Sequence, residues 1–158
     1  MKYLNIFNNS YRLIDGFSSG TGLKLINKSG VPIFLPLICY EALFSNEILG
    51  VVKEARWILN VTNDAWFGTT IGPWQHLYQS QLRAVEEGIP LVRVANTGIS
   101  AAFDGFGRQL GTIPLGAQDY LDIALPSVLT APVFARFGNA GFFALCFGVF
   151  GVAWVLYR

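Results

Sequence analysis

One cysteine lies where a thiol could act as a nucleophile. Cys39 follows an apolar run at residues 31–38 and precedes a segment with helical spacing. Open α/β sheets bind their ligands outside the carboxyl ends of their strands, where strand-to-helix turns lie. In such a turn, backbone N–H groups can stabilise an oxyanion, and the helix N-terminus favours the thiolate. The position suits attack on a carbonyl carbon; the alternative is a small buried hydrophobic residue, as free cysteines usually are.

Few groups could activate this thiol. The usual partner of a catalytic cysteine is a histidine, and His76 is the single histidine of the chain. It lies at the start of a predicted helix, where a surface residue or a satisfied core residue is the commoner interpretation. Glu41 follows Cys39 by two residues. It is either a supporting carboxylate or a first-turn residue that interacts favourably with the helix dipole.

Polar residues also follow the next two predicted strands. Residues 63–68 and 96–98 read Asn-Asp-Ala-Trp-Phe-Gly and Asn-Thr-Gly, and both segments are expected at the same sheet edge as Cys39. The predicted substrate-binding residues are Asn63, Trp66, Phe67 and His76, because polar groups beside aromatic rings could line an amphiphilic pocket. The alternative is a turn whose Asn and Asp satisfy local backbone groups while the aromatic rings pack beneath.

Composition excludes several classes of protein. Of the 158 residues, 53% are hydrophobic and 13% charged, whereas soluble domains carry about 25% charged residues; the deficit indicates a membrane segment or surfaces buried against a partner. A net charge of +1 provides no field to attract nucleic acid. Two cysteines and one histidine argue against a disulfide framework and a zinc site, so neither a metal nor a cofactor is predicted. Residues 1–10 are too polar for a signal peptide.

Short apolar runs alternate with helical patterns along most of the chain. Strands are predicted at residues 31–38, 56–62 and 89–95, at 100–104 and 108–113 as a hairpin, and at 120–125. Helices are predicted at residues 42–54 and 74–87, the second ended by Gly88. Apolar strands joined by helices predict an α/β sheet that is covered on both faces. Residues 1–29 are polar and poorly patterned, as in a surface loop or a piece of something longer.

The C-terminal segment is apolar throughout. Residues 138–157 carry no charge and are long enough to cross a hydrocarbon core of about 30 Å as a helix. Trp154 and Tyr157 near one end are typical of an interfacial belt, and Arg136 and Arg158 flank the segment. We therefore predict a transmembrane helix. The alternative, a buried core helix, needs more surrounding protein than a chain this short provides.

Five short motifs occur together in one order. They read Ile-Cys-Tyr-Glu at residues 38–41, Asn-Asp-Ala-Trp-Phe-Gly at 63–68, Gly-Pro-Trp-Gln-His at 72–76, Arg-Ala-Val-Glu at 83–86 and Arg-Val-Ala-Asn-Thr-Gly-Ile-Ser at 93–100. With the closing apolar helix, this pattern resembles the apolipoprotein N-acyltransferases, a membrane branch of the nitrilase or carbon-nitrogen hydrolase superfamily. The resemblance runs from about residue 16 to the C-terminus.

The resemblance implies a fold, a reaction and a place in the cell. Residues 1–125 would be the C-terminal portion of an αββα nitrilase-like sandwich, 126–137 a linker and 138–157 a transmembrane helix. The implied reaction moves a fatty acyl chain from a phospholipid to Cys39, as a thioester. The acyl chain then passes to the N-terminal amine of diacylglyceryl-cysteine in an apolipoprotein. The expected location is the bacterial inner membrane, with the globular part on the periplasmic side.

The resemblance also implies roles for individual residues. Cys39 is the expected nucleophile, the backbone N–H of Tyr40 an oxyanion donor, and Glu41 a supporting carboxylate. Trp66 and its loop would lie near the acyl pocket. The expected partners are accordingly a phospholipid acyl donor, an apolipoprotein acceptor and the membrane.

The pattern departs from the family upstream of Cys39. The family's catalytic glutamate and lysine come from segments that precede the nucleophile, and none of Lys2, Lys24 and Lys28 matches that lysine. We therefore expect an incomplete chain that is silent alone and exposes an apolar sheet face. A separate chain that supplies the upstream half stays open as a further partner. Two alternatives also stay open: a nitrilase-type amidase, and an inactive membrane-anchored remnant or interaction module.

Overall fold

Six strands form one sheet in the computed structural model, which describes residues 20–158. They are β1 (Ile26–Lys28), β2 (Val31–Ile38), β3 (Trp57–Asn63), β4 (Leu91–Asn96), β5 (Ser100–Phe103) and β6 (Gln109–Ile113), and they lie side by side in this order. β2, β3 and β4 are parallel, whereas β1 joins β2, β5 joins β4 and β6 joins β5 in antiparallel fashion. The prediction that residues 1–10 are not a signal peptide lies outside the described residues.

Four helices accompany the sheet in this part of the chain. They are α1 (Ser45–Ile48), α2 (Gly72–Glu87), α3 (Val133–Phe137) and α4 (Ala140–Tyr157), with 3₁₀ turns at Cys39–Leu43, Val52–Glu54 and Ala65–Phe67. In α2, Pro73 occupies the first turn, where a missing N–H loses no hydrogen bond, and Gly88 ends the helix with a φ of 68°. The predicted helix at residues 74–87 and the predicted α/β fold class are confirmed.

One face of the parallel strands is covered by α2. Leu35, Leu37, Ile58 and Leu91 point to this face and are fully buried. Burial of a large aliphatic side chain contributes about 1.5–3 kcal/mol, so these residues hold the strands in register. The buried side of α2 contains both polar and apolar residues: Pro73, His76, Ser80, Arg83, Ala84 and Glu87.

The opposite face of the same strands, called the open face below, is apolar. It consists of Phe34, Pro36 and Ile38 of β2, in register with Trp57, Leu59 and Val61 of β3, and of Val92 and Val94 of β4. None of these side chains is buried within residues 20–158, and Ile38 is 64% exposed. The prediction that the sheet is covered on both faces is therefore not confirmed within residues 20–158. The strands are apolar on both sides, and among residues 20–158 the helix α2 covers only one of them.

Two predicted elements are wrong. The helix predicted at residues 42–54 is divided into short helical turns, because Phe44 leaves helical geometry with φ −99° and ψ 78° and Gly50 takes a φ of 90°. The strand predicted at residues 120–125 has no partner strand among the described residues; Leu121 and Ile123 pack against Gly111 of β6 instead. Conversely, β1 forms an edge strand within the region predicted to be irregular.

By its length and composition, α4 could cross a membrane. Its 18 residues have a mean hydropathy of 2.0, and none of them is buried against the rest of residues 20–158. At about 1.5 Å per residue it extends for about 27 Å. The residue before it, Asn139, donates a side-chain hydrogen bond to Asn46 Oδ1 at 3.1 Å. The exposure of the whole helix argues against the alternative of a buried core helix.

Candidate active site

Cys39 has a backbone conformation that L-residues rarely adopt. It follows β2 directly and has a φ of 52°. Among residues 20–158, Thr97 after β4 is the only other non-glycine residue with a positive φ. Strain of this kind costs about 1–3 kcal/mol and persists only where the surroundings impose it. Both residues lie at the edge where the parallel strands end, as predicted for the polar segments.

Glu41 stabilises the 3₁₀ turn Cys39–Leu43, called the Cys39 turn below, by a hydrogen bond to the backbone. Its Oε2 accepts a hydrogen bond from the N–H of Ile38, the residue before Cys39, at 2.6 Å. Backbone donors at the start of a helical turn have no intrahelical partner, so a side-chain acceptor there stabilises the turn. Glu41 therefore contacts the backbone that presents the thiol.

The carbonyl oxygen of Cys39 accepts from two buried side chains. The Asn60 amide donates to it at 3.3 Å, and to the Leu37 carbonyl at 3.1 Å. His76 Nε2 lies 3.3 Å from the same Cys39 oxygen. Because a carbonyl oxygen only accepts, Nε2 carries a proton in this contact. Asn60 and His76 are at most 3% exposed, so water does not compete for the carbonyl from that side.

Arg93 is the centre of a buried polar network beneath the turn. Its Nη1 donates to Asn60 Oδ1 at 2.6 Å and to Ser80 Oγ at 3.1 Å, and its Nη2 donates to Asp64 Oδ2 at 2.6 Å. Asp64 Oδ1 lies 2.9 Å from His76 Nδ1. Each of these five residues is at most 3% exposed. Loss of one member would leave an unpaired buried charge or dipole, which is costly.

Two opposing effects act on the Arg93 guanidinium. Burial lowers the pKa of Arg93 from its ordinary value, while the charge of Asp64 and the hydrogen bond to it raise that pKa again. A negative charge on Cys39 also raises the pKa of Arg93, so the guanidinium lies within electrostatic reach of the thiol. An arginine side chain stays charged in proteins, and Arg93 is therefore a fixed cation beneath the turn that carries Cys39.

A small cavity opens beside the turn. It has a volume of about 320 Å³ and is lined by Tyr40, Leu43, Phe67, Gly72, Gln75, His76, Tyr78 and Gln79. The Tyr40 ring stacks on the His76 ring with 5.2 Å between centroids, and Phe67 meets His76 edge-on at 5.9 Å. Aromatic walls beside a few polar groups are typical of sites for amphiphilic ligands. A larger cavity of about 620 Å³ lies against β4 and β5, and none of these residues lines it.

The predicted site residues divide into two groups. Cys39, Tyr40, Glu41, Phe67 and His76 come together at the turn and its cavity. Asn63 Oδ1 instead accepts from the N–H of Ala65 at 3.1 Å and closes a local turn, and the Trp66 ring is 86% exposed. Neither Asn63 nor Trp66 lines the cavity beside Cys39. His76 contacts the backbone carbonyl oxygen of Cys39 through Nε2, and its second ring nitrogen faces Asp64, so the possible Cys–His catalytic pair stays a prediction.

Four residues of the network are not among the predicted site residues: Asn60, Asp64, Ser80 and Arg93. Asn60 and Arg93 occupy core-facing positions of β3 and β4 and are register partners. A buried polar side chain requires a partner, so two of them in adjacent apolar strands are the signal that could have found the network. Ser80 lies one helical turn after His76 and shares its buried face. Within residues 20–158, no group of three or more His, Cys, Asp and Glu side chains could hold a metal ion.

The chain resembles known proteins along most of its length. The sequence profile of the carbon-nitrogen hydrolases matches residues 5–135. An apolipoprotein N-acyltransferase of Bradyrhizobium diazoefficiens is 47% identical over 128 residues, which cover 81% of this chain and 24% of that protein. An apolipoprotein N-acyltransferase of Rhizobium rhizogenes is 41% identical over 160 residues, which cover 99% of this chain and 29% of that protein. The chain therefore spans about a quarter of the length of the curated relatives it matches.

Solved structures share the fold at low sequence identity. A mutant of the amidase from Nesterenkonia sp. AN1 superposes with a TM-score of 0.51 and 19% identity, over 81% of this chain and 50% of that chain. A carbon-nitrogen hydrolase from Helicobacter pylori G27 gives a TM-score of 0.53 and 13% identity, over 62% and 41%. These similarities concern the fold alone, and they confirm the predicted nitrilase-like α/β architecture. The profile match over residues 5–135 shows that the chain belongs to the carbon-nitrogen hydrolase family.

Proposed function

We propose that this chain is the C-terminal part of an N-acyltransferase that matures lipoproteins. A fatty acyl chain passes from a phospholipid to Cys39, and then to the N-terminal amine of diacylglyceryl-cysteine in an apolipoprotein. The observation that carries the proposal is Cys39 itself, held in a strained turn at the sheet edge beside an aromatic cavity. Identities of 41% and 47% with apolipoprotein N-acyltransferases over this region support it.

In the first half-reaction, the Cys39 thiolate attacks the ester carbonyl carbon of the phospholipid. The carbon–sulfur bond forms, the carbonyl π electrons move to oxygen, and the backbone N–H of Tyr40 stabilises the oxyanion. Collapse of this intermediate breaks the carbon–oxygen bond to the lysophospholipid. The departing alkoxide takes a proton from the glutamate that the family resemblance implies, and Cys39 keeps the acyl chain as a thioester.

In the second half-reaction, the amine of the lipoprotein attacks the thioester carbonyl carbon. The carbon–nitrogen bond forms, the amine gives a proton to the same glutamate, and the carbon–sulfur bond breaks. Cys39 leaves as a thiolate, ready for another donor. The product is an amide, which is more stable than the thioester, so the transfer proceeds toward the acylated lipoprotein.

The aromatic cavity is the proposed place of the acyl chain next to the reacting carbonyl. Tyr40, Leu43 and Phe67 present apolar surface there. Trp66 lies outside the cavity wall and is 86% exposed. An exposed indole ring suits the boundary between apolar and aqueous phases. Trp66 and Asn63 are therefore proposed to contact the donor outside the cavity.

The upstream half of the same domain is the proposed partner of the open face. This face is apolar and reaches Ile38, the residue before Cys39. A segment that covers it would approach the nucleophile from the side opposite α2. We propose that this half, in a longer form of the chain or as a separate chain, brings the catalytic glutamate and lysine to Cys39. Without them a lone thiol lacks its activating groups, so the chain alone is expected to be silent.

Membrane attachment is proposed to occur through α4. Its apolar residues are exposed along the whole helix, as expected for a segment that lies in lipid. The proposed location is the bacterial inner membrane, and the globular part faces the periplasm in this proposal because lipoprotein substrates are acylated there. Attachment of this kind keeps Cys39 near its phospholipid donor.

A transfer assay tests the proposal. The chain is reconstituted in phospholipid vesicles with a labelled acyl group, with and without the upstream half, and a diacylglyceryl-cysteine peptide is the acceptor. We expect labelled amide on the peptide when both halves are present, and none with Cys39→Ala. Hydrolysis of small amides in place of transfer would favour the amidase alternative. No reaction with both halves would favour a remnant or interaction module.

A further inference from the structure

The Cys39 carbonyl and the Tyr40 N–H belong to one rigid unit. They are the two polar groups of a single planar peptide and point in opposite directions when that peptide is trans; no cis peptide bond occurs in residues 20–158. The carbonyl is directed at Asn60 and His76 on the buried side of the turn. The Tyr40 N–H is therefore directed away from the buried network, toward the side from which a substrate can approach.

The Tyr40 N–H is also available as a donor. Tyr40 is the second residue of the turn Cys39–Leu43, and the N–H groups in the first turn of a helix have no intrahelical acceptor. Its neighbour differs in this respect, because the Ile38 N–H is occupied by Glu41 Oε2. Of these two N–H groups, that of Tyr40 has no hydrogen-bond acceptor among residues 20–158 and can bind a ligand oxygen.

We propose that His76 and Asn60 are positioning residues that aim the Tyr40 N–H at the oxyanion of the acyl transfer. This inference rests on the proposed function, in which that N–H is an oxyanion donor. His76 makes two contacts that restrain this peptide unit. Its Nε2 donates to the Cys39 carbonyl, and its ring stacks on the Tyr40 ring at an interplanar angle of 19°. The positive φ of Cys39 favours relaxation of the turn, and these contacts oppose it.

The buried polar network next to His76 determines which of its ring nitrogens contacts the Cys39 carbonyl. Asp64 Oδ1 lies 2.9 Å from His76 Nδ1, and Arg93 Nη2 lies 3.2 Å from the same nitrogen while it holds Asp64 Oδ2 at 2.6 Å. Both ring nitrogens therefore have protein partners, and neither is directed at the thiol as a base would be. His76 acts on the geometry of the turn.

Two reactions of the Cys39 thiol can distinguish a role of His76 and Asn60 in positioning the Tyr40 N–H from a role in folding alone. Acylation by p-nitrophenyl butyrate passes through a tetrahedral oxyanion, whereas alkylation by iodoacetamide is a direct displacement that forms none. The full chain in lipid nanodiscs is treated with each reagent, and mass spectrometry follows the adduct on Cys39. Cys39→Ala gives the background from the second thiol, Cys146. The quantity of interest is the ratio of the acylation rate to the alkylation rate.

His76→Asn and His76→Gln form a matched pair for this ratio. A glutamine amide nitrogen can take the place of Nε2 and donate to the Cys39 carbonyl, whereas the shorter asparagine reaches only the place of Nδ1. We expect His76→Asn to lower the ratio roughly tenfold, since it misaligns an oxyanion donor, and His76→Gln to restore most of it. Asn60→Asp is the second variant, because it keeps the acceptor for Arg93 and removes the donor to Cys39; it should lower the ratio in the same direction.

The inference is overturned if His76→Asn and Asn60→Asp leave the ratio unchanged. It is also overturned if the acylation and alkylation rates fall equally, since the two residues would then affect only the folding of the chain or the access of reagents to the Cys39 thiol. A wild-type ratio equal to that of N-acetylcysteine also overturns it, because no oxyanion donor would then act at Cys39. Circular dichroism confirms that each variant folds. Neither reagent requires phospholipid, lipoprotein or the upstream half, so a failure of the proposed acyltransferase function would be seen separately.

Discussion

Asn60 and Arg93 are register partners on the parallel strands β3 and β4, and their side chains meet at 2.6 Å in the core. Because Arg93 donates to the amide oxygen of Asn60, the amide nitrogen faces the carbonyls of Leu37 and Cys39. The conformation of the turn that carries the candidate nucleophile thus depends on a side chain two strands away.

Arg93→Met is expected to be strongly destabilising. It removes the cation that holds Oδ2 of the buried Asp64 carboxylate, and breaking a buried ion pair in this way costs about 3–5 kcal/mol. Urea unfolding in detergent micelles measures the change in the free energy of unfolding. Arg108→Met is the control, because the Arg108 side chain is 73% exposed and Asp104 keeps its hydrogen bonds from the backbone N–H groups of Phe106 and Arg108, so a smaller loss is expected. Equal losses in the two variants would disprove this prediction.

Gly98→Ala is expected to disturb the network through Asp64. A Cβ at position 98 would lie 2.5 Å from Asp64 Oδ2, so either the loop or the carboxylate that binds Arg93 must shift. Overpacking of this kind costs about 1–3 kcal/mol, which thermal unfolding should detect. Gly20→Ala is the control, since a Cβ at position 20 would meet no atom of the described residues within 4 Å, its chain neighbours aside. Wild-type stability in Gly98→Ala would mean that the loop yields without moving Asp64.

Glu41→Ala is expected to loosen the Cys39 turn. The variant removes the acceptor of the Ile38 N–H, and loss of a capping contact costs about 0.5–2 kcal/mol. Differential scanning calorimetry should show the lower stability. Glu47→Ala is the matched control, because Glu47 is an exposed acid in the first turn of α1. A loss no larger than that of the control would show that the Ile38 contact does not hold the turn.

Glu87 should make stability depend on pH. Burial, and then the neighbouring Glu86 carboxylate, raise the pKa of Glu87 from 4.5 to about 7, while Arg83 opposes them. Since the pKa is raised in the folded state, the stabilising contribution is complete below pH 4.5 and is lost as the pH rises through 7. At about 1.4 kcal/mol per pKa unit, the loss approaches roughly 3 kcal/mol.

Urea unfolding between pH 4.5 and pH 7 checks this prediction. The free energy of unfolding should fall across the range in the wild type, and Glu87→Gln should flatten part of the fall. Glu54→Gln, at an exposed position, should keep the wild-type slope. Identical slopes in the wild type and Glu87→Gln would rule out Glu87 as the source.

The elements that depend on sequence neighbours were predictable. The apolar runs that become β2, β3 and β4, and the helix α2 with its end at Gly88, are predicted to within two residues. Residues 42–54 were not, because Phe44 and Gly50 interrupt a regular apolar spacing that the periodicity alone cannot distinguish from a helix. Residues 120–125 have strand-like composition, but a strand also needs a partner, which the sequence does not reveal.

The candidate site was predictable in part for the same reason. The position of Cys39 after an apolar strand and before a helical turn is a local feature, and the structure shows it. The network beneath Cys39 is not local, since Asn60 and Arg93 are 33 residues apart in sequence and meet only when β3 and β4 pair in one register. The contact of His76 with the Cys39 carbonyl likewise depends on how α2 packs against the sheet.

The most direct measurement is the intact mass of the chain after incubation with phospholipid vesicles and the upstream half of the domain. We expect a gain of one fatty acyl chain, located on Cys39, released by hydroxylamine as a thioester would be, and absent from Cys39→Ala. No mass gain with both halves present, or an acyl group on any other residue, would contradict the assignment of Cys39 as the nucleophile of an acyltransferase.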